Sequence, residues 1–151
     1  MKRIYTLLLF CLPLFLNAQN VELKDDGLYY KGDSLYTGKY VENYDNGKLM
    51  TEMHLLQGKL SGEYIMYFES GIKKEFRNYK EGKKDGAWYT WNEKGIKTAE
   101  ANYALDVKDG NWFIWDDNGQ KRYEMNYKKG EKSGTWFMWD ENGKLTMEKE
   151  Y

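Results

Sequence analysis

His54 is the only histidine of the chain, and it stands two residues after Glu52. On an extended strand these two side chains share a side, an imidazole beside a carboxylate of the kind that general acid–base catalysis uses. Context argues against catalysis: the equivalent place in later segments is filled by Asn78, Asn102, Asn126 and Glu150, and a flat sheet lacks a preorganised pocket. Glu52, Glu100, Glu124 and Glu148 form a series of acids. If they recur every two strands they lie about 9.5 Å apart, too far to share a proton. With Lys73, Lys97 and Lys121 nearby, the series reads as solvated cross-strand charge pairing. Asp116-Asp117-Asn118-Gly119 and Asp140-Glu141-Asn142-Gly143 open like calcium loops but lack the spaced oxygen ligands that complete one, so they read as turns. No second histidine exists, and the single cysteine, Cys11, falls in a removable leader, so no zinc site or thiolate nucleophile can be built. The basic stretch Lys80 to Lys84, with Lys73, Lys74 and Arg77, is diluted by Glu75, Glu81 and Asp85 in a chain of net charge −1. That balance excludes a polyanion footprint and hence a nucleic-acid partner. No catalytic, cofactor-binding or metal residue is assigned, and the chain is expected not to be an enzyme.

The elements that carry these residues follow from a fixed repeat. Gly38, Gly62, Gly86, Gly110 and Gly134 are 24 residues apart; Gly47, Gly71, Gly95, Gly119 and Gly143 follow them by nine, and Gly58, Gly82 and Gly130 by twenty, with Asp106 in the remaining place. Aromatic residues keep the same phase. Tyr40, Tyr64, Trp88, Trp112 and Trp136 come two after the opening glycine, Tyr67, Trp91, Trp115 and Trp139 five after it, and Leu55, Tyr79, Tyr103, Tyr127 and Tyr151 seventeen after it. Each unit reads as a β-hairpin. The first half is aromatic and β-branched, as in Trp112-Phe113-Ile114-Trp115. An Asn-Gly or Asp-Asn-Gly turn follows, in which Asn and Gly are expected to take positive φ. The second half alternates, with Tyr123, Met125 and Tyr127 pointing one way and Arg122, Glu124 and Asn126 the other. Helical periodicity is absent. The expected fold is all-β: one elongated, twisted antiparallel sheet of about ten strands, in which hairpins that are marginal alone gain a continuous core by stacking aromatic columns. Residues two and five after the opening glycine face opposite sides of an unkinked strand, so either both faces carry aromatics or the strand is kinked between them.

Domain organisation follows from the same phase. Met1 to Arg3 is basic, Ile4 to Leu16 is apolar, and Asn17-Ala18-Gln19 supplies a small-residue cleavage context, so residues 1–18 read as a secretory signal peptide. The apolar run is shorter than the roughly 20 residues a spanning helix needs, and Pro13 interrupts it. Phe10 occupies the place before Cys11 where lipidation requires a small residue. Residues 19–37 form a capping segment with turns around Asp25-Asp26-Gly27 and Gly32-Asp33, and five units occupy 38–61, 62–85, 86–109, 110–133 and 134–151. The mature chain is expected to be exported and to act in the periplasm, at the outer membrane or in the medium.

The glycine, the aromatics two and five residues later, the Asn-Gly turn and the Glu and Tyr of the return strand resemble the bacterial variant of the MORN (membrane occupation and recognition nexus) repeat. Leu35-Tyr36-Thr37-Gly38-Lys39-Tyr40 resembles the opening of such arrays, and the resemblance covers residues 35–151. Asp106 for the third glycine, Asn43 for the second aromatic of the first unit, and Glu75 with Phe76 in inverted order depart from it. The resemblance implies a non-catalytic module that binds a protein, in an antitoxin-like or scaffold role; elsewhere such arrays are linked to lipid contact. The binding residues expected from the aromatic columns are Trp88, Trp91, Trp112, Trp115, Trp136 and Trp139, with Met66, Met125 and Met138 as further anchors. The partner is expected to be a protein; the alternative is an envelope glycan or lipid, with exposed indoles stacking on sugars. The chain is expected to be a monomer or to self-associate weakly through its edge strands, where Lys and Glu oppose pairing.

Overall fold

The computed structural model describes residues 21–151; the expected signal peptide lies outside them. Fourteen strands make up the fold: β1 (Val21–Leu23), β2 (Tyr29–Lys31), β3 (Ser34–Leu35), β4 (Gly38–Asn43), β5 (Leu49–Leu56), β6 (Lys59–Tyr67), β7 (Lys73–Lys80), β8 (Lys83–Trp91), β9 (Lys97–Ala104), β10 (Val107–Lys108), β11 (Gly110–Trp115), β12 (Lys121–Lys128), β13 (Glu131–Trp139) and β14 (Leu145–Glu150). Strands β4 to β14 form one open antiparallel sheet in chain order, with the short β10 paired to β9 beside β11. The expected single hairpin-ordered sheet is therefore what the chain forms. Within the expected capping segment, β1, β2 and β3 make a separate three-stranded sheet. It is joined to the array where Tyr29 N donates to Gly58 O (2.9 Å) and Gly58 N to Tyr36 O (2.8 Å), and the Tyr29 ring lies 5.9 Å from that of Tyr40.

Two kinds of turn alternate along the ribbon. On one long edge, each Asn-Gly turn closes with a glycine N–H to the residue three before it, as from Gly119 N to Asp116 O (2.9 Å). The turn-opening side chain then accepts from the following backbone: Asp116 Oδ1 takes the N–H groups of Asn118 and Gln120, both at 3.0 Å. Only the glycine is left-handed here (Gly119, φ 82°); Asn46, Asn118 and Asn142 are not. The expectation that both residues take positive φ is thus corrected. The turn has a glycine bulge after a type I reversal, which needs positive φ at one place only. On the other edge both central residues are left-handed, as in Lys129 (φ 52°) and Gly130 (φ 88°), the two-residue mirror-image turn that suits strand twist. Asp106 takes the glycine's place in this turn at φ 73°, and its Oδ1 accepts from Lys84 N at 2.8 Å.

These second turns also stitch the stack. Gly82 N donates to Leu60 O (2.7 Å), Asp106 N to Lys84 O (2.8 Å) and Gly130 N to Lys108 O (2.8 Å), so each tip is tied to the unit before it. Opposite each opening glycine the ladder opens out. Arg77 faces Trp88 and Tyr79 faces Lys84, leaving Asn78 against the looped-out Asp85 to Ala87; between β12 and β13 the break falls one residue earlier, leaving Met125 against Gly134 to Trp136 while Asn126 faces Ser133. The excursion also separates β10 from β11, which are two pieces of one strand. Beside the break, the indole of the same column adds a hydrogen bond to the Asn carbonyl, which at Asn102 also accepts from Asp109 N (3.1 Å). Trp88 Nε1 donates to Asn78 O (3.2 Å), Trp112 Nε1 to Asn102 O (3.1 Å) and Trp136 Nε1 to Asn126 O (3.0 Å).

Candidate binding surfaces

Both faces of the sheet carry aromatics, which decides between the two readings open from sequence. On one face, here the ladder face, rings from alternating strands meet in an unbroken series of Tyr64, Tyr79, Trp88, Tyr103, Trp112, Tyr127, Trp136 and Tyr151, with centroids 4.8 to 6.2 Å apart and rings tilted or edge-on. That geometry suits aromatic quadrupoles and buries a large apolar area per ring. At the capped end the series gives way to Met53 and Leu55, both buried. Burial pushes the phenols of Tyr64 and Tyr103 above their ordinary range. Burial works against the Arg77 charge, but its bond to the Tyr79 hydroxyl and the nearby Glu75 carboxylate outweigh that and raise its pKa.

The opposite face carries Trp91, Trp115 and Trp139. Each packs on an aromatic of its own strand, two residues back: Tyr89–Trp91 at 5.8 Å, Phe113–Trp115 at 5.6 Å and Phe137–Trp139 at 5.8 Å. The charge pairing expected across strands forms here along single strands instead, Lys97 Nζ to Glu100 Oε2 at 3.1 Å within β9 and Lys121 Nζ to Glu124 Oε2 at 2.8 Å within β12. Each lysine also sits over a ring, Lys97 over Tyr89 at 4.5 Å and Lys121 over Phe113 at 5.1 Å. The six tryptophans therefore do not make one surface. Trp88, Trp112 and Trp136 belong to the ladder face with their N–H groups spent on backbone, whereas Trp91, Trp115 and Trp139 lie behind them.

Glu52 does not serve His54. Its carboxylate pairs with Lys39 (2.7 Å), and exposed His54 lines an open hollow of about 400 Å³ with Thr37, Gly38, Lys39, Leu55, Leu56 and Ser61. The Asp116 and Asp140 carboxylates are spent on their own turns: Asp140 Oδ1 accepts from Asn142 N and Lys144 N at 2.9 Å each.

Two further features of the ladder face carry no glycine or tryptophan signal. The first is a column of lysines, Lys84, Lys108 and Lys132, in the same 24-residue phase. They face Tyr79, Tyr103 and Tyr127 across the strand pairs. Each ammonium lies over two rings: Lys84 at 4.9 Å from Trp88 and 5.0 Å from Tyr103, Lys108 at 4.4 Å from Trp112 and 4.6 Å from Tyr127, Lys132 at 4.5 Å from Trp136 and 4.7 Å from Tyr151. The ion pairs of the described residues engage Lys24, Lys39, Arg77, Lys97, Lys121 and Arg122, and none of these three. The second feature is an apolar row four residues along the same face. Ile114 faces Tyr123, Tyr123 faces Met138 and Met138 faces Met147, with Ile114 39 % and Tyr123 38 % exposed. Met125 faces Trp112 between the row and the lysine column.

The comparison with known proteins follows the same repeat phase. None of the curated proteins matches the chain. Three segments, residues 36–56, 108–129 and 132–151, match the family model described as MORN repeat variant, and they coincide with the hairpins β4–β5, β10–β12 and β13–β14.

Proposed function

We propose that the chain is a non-catalytic repeat module that binds a protein partner, using the ladder face as its contact surface. The observation that carries this reading is the apolar row of exposed Ile114 and Tyr123 with half-buried Met138 and Met147, on a sheet face whose remaining surface is a rigid ring ladder. Contiguous exposed apolar side chains on an ordered scaffold favour association, and Met adapts to a partner's shape. MORN repeat variant segments agree with a module of this kind. The antitoxin-like or scaffold role and export to the envelope or exterior are part of the same proposal; they rest on the resemblance and on the leader at residues 1–18.

The test is recovery of the tagged mature protein from its native envelope after mild crosslinking, with bound material identified. A single protein should be recovered with the native sequence and lost with Ile114→Thr/Tyr123→Thr, which keeps strand propensity while removing apolar contact. Recovery of no protein partner would overturn the reading.

A second reading has one observation in its favour. Trp91, Trp115 and Trp139 each pack against a ring of their own strand and take no part in the ladder, which leaves the back of the sheet as a place where envelope sugars could stack. Loss of glycan retention in Trp115→Ala, with the ladder face unaltered, is the outcome that would favour it.

A further inference from the structure

We infer that the ladder face receives an acidic amphipathic helix of the protein partner, lying across strands β10 to β14, with carboxylates seven residues apart on Lys108 and Lys132. The inference rests on the proposed protein-binding role and specifies the chemistry of its occupant. Charge is the first argument. Lys108 and Lys132 are in no ion pair; a ring face stabilises a cation without using up its N–H donors, of which Lys132 gives one to the Tyr151 hydroxyl at 3.5 Å. Lys84 and Lys149 extend the same positive margin, Lys149 at 4.8 Å from the Tyr151 ring. The acids in the same register row, Glu42 and Glu75, lie in the first two units, away from Ile114, Tyr123, Met138 and Met147, and Glu75 is held by Arg77. The back of the sheet differs, because its lysines Lys97 and Lys121 are neutralised by glutamates.

Spacing is the second argument. Lys108 and Lys132 are two strands apart in the sheet, which is about 9.6 Å. Carboxylates on one side of an extended partner strand recur at about 6.8 Å or about 13.6 Å and miss that interval. Seven residues of α-helix rise about 10.5 Å and return to the same face, which fits.

Width is the third argument. Tyr127, Met125 and Tyr123 point to the ladder face at alternate residues of β12, so the lysine column and the apolar row run about 13.6 Å apart with Met125 and the Trp112 and Trp136 rings between. A helix with its side chains is about 10–12 Å across. Laid over the middle line, it reaches the lysines on one flank and Ile114, Tyr123, Met138 and Met147 on the other. Its own apolar stripe then falls one step from its acidic stripe, as i, i+3 and i+4 spacing allows. Sheet twist of roughly 20–25° per strand limits a straight helix to about two heptads.

The probe is a synthetic two-heptad helical peptide with an apolar stripe and two glutamates seven residues apart on its flank. Its control has the same composition with the glutamates four residues apart. Titrated at low ionic strength into the full mature protein, the seven-residue peptide should bind and the control should bind at least about fivefold more weakly. Lys108→Glu and Lys132→Glu should each weaken binding about fivefold, and Lys97→Glu on the back should leave it unchanged. Because the lysines also cover rings, Lys108→Gln, which keeps most of the stem, is measured alongside: weakened binding at unchanged melting temperature supports a contact role. Equal binding of the two peptides, or no loss on charge reversal, overturns the inference. So does binding of a uronic-acid polysaccharide at the same lysines without binding of the peptide, which would assign the column to a glycan. If the native partner is captured equally by the lysine variants, the protein-binding reading stands and only the helix assignment fails.

Discussion

At the scale of single residues, the ladder tryptophans act twice, as apolar rings and as hydrogen-bond donors. Trp136 is the clearest case: 8 % exposed, its ring lies 5.2 Å from Tyr127 and 4.8 Å from Tyr151, and its Nε1 donates to Asn126 O at 3.0 Å. The two contributions separate by substitution. Trp136→Phe keeps a ring and removes the indole bond to the half-buried Asn126 carbonyl, at a cost of about 1 kcal/mol. Trp136→Ala also removes the buried ring and should cost about 3–5 kcal/mol. Urea midpoints should fall in the order native, Phe, Ala, while Lys128→Ala, at the exposed last residue of β12, should stay close to native. A Phe variant with native stability would show that the Asn126 carbonyl is satisfied without the indole, and the double role would be wrong. The same logic sets a limit on ligand binding at Trp88, Trp112 and Trp136, because donors committed to backbone carbonyls are lost to any partner.

Among the elements, the two-residue turns carry most of the backbone cost. Leu105 sits at φ 49° and is 49 % exposed, a branched apolar side chain in the left-handed region without burial to compensate. Asn tolerates that conformation far better, and it is a preferred residue at the first central position of this turn type. Leu105→Asn should therefore stabilise the protein by about 0.5–1 kcal/mol, read as a raised melting temperature; a lowered one would mean that the leucine packs in a way its exposure hides. The turns also show what could be read in advance. Hairpins, their order and the open sheet are legible because glycine at 24-residue intervals and alternating Tyr and Met columns leave few other arrangements. The division of tryptophans between faces is not, since it depends on where the ladder opens out. Asn78, Asn102 and Asn126 mark those places in the sequence, but an Asn in a strand gives no sign that its carbonyl receives an indole N–H. Lys84, Lys108 and Lys132 keep the repeat phase and are visible as a column. Their meaning is hidden, because a lysine next to a charged turn reads as solvated until the rings beneath it are placed.

For the molecule as a whole, every unit meets only its neighbours, so stability should behave as a sum of unit terms and interfaces between units. Removing residues 110–133 tests this directly. The cut joins Asp109 to Gly134, as Asp109 joins Gly110 in the native chain. Tyr103 would then meet Trp136 where it now meets Trp112 at 5.2 Å. Asn102 O would take the Trp136 indole in place of the Trp112 indole now at 3.1 Å. Strand direction, face and aromatic column all remain in phase. The shortened protein should keep an all-strand circular dichroism spectrum and a cooperative transition, with a urea m-value about one-fifth lower because less surface is exposed on unfolding. A cut of half a unit, residues 122–133, has the opposite effect: β13 would take the place of a return strand, so its residues would lose their register with the aromatic columns and every later turn would fall on the wrong long edge. That variant should not fold. If the two deletions were equally disordered, the units would not be interchangeable, and the continuity of the ring ladder from Tyr64 to Tyr151 would owe more to long-range fit than to contacts between adjacent hairpins.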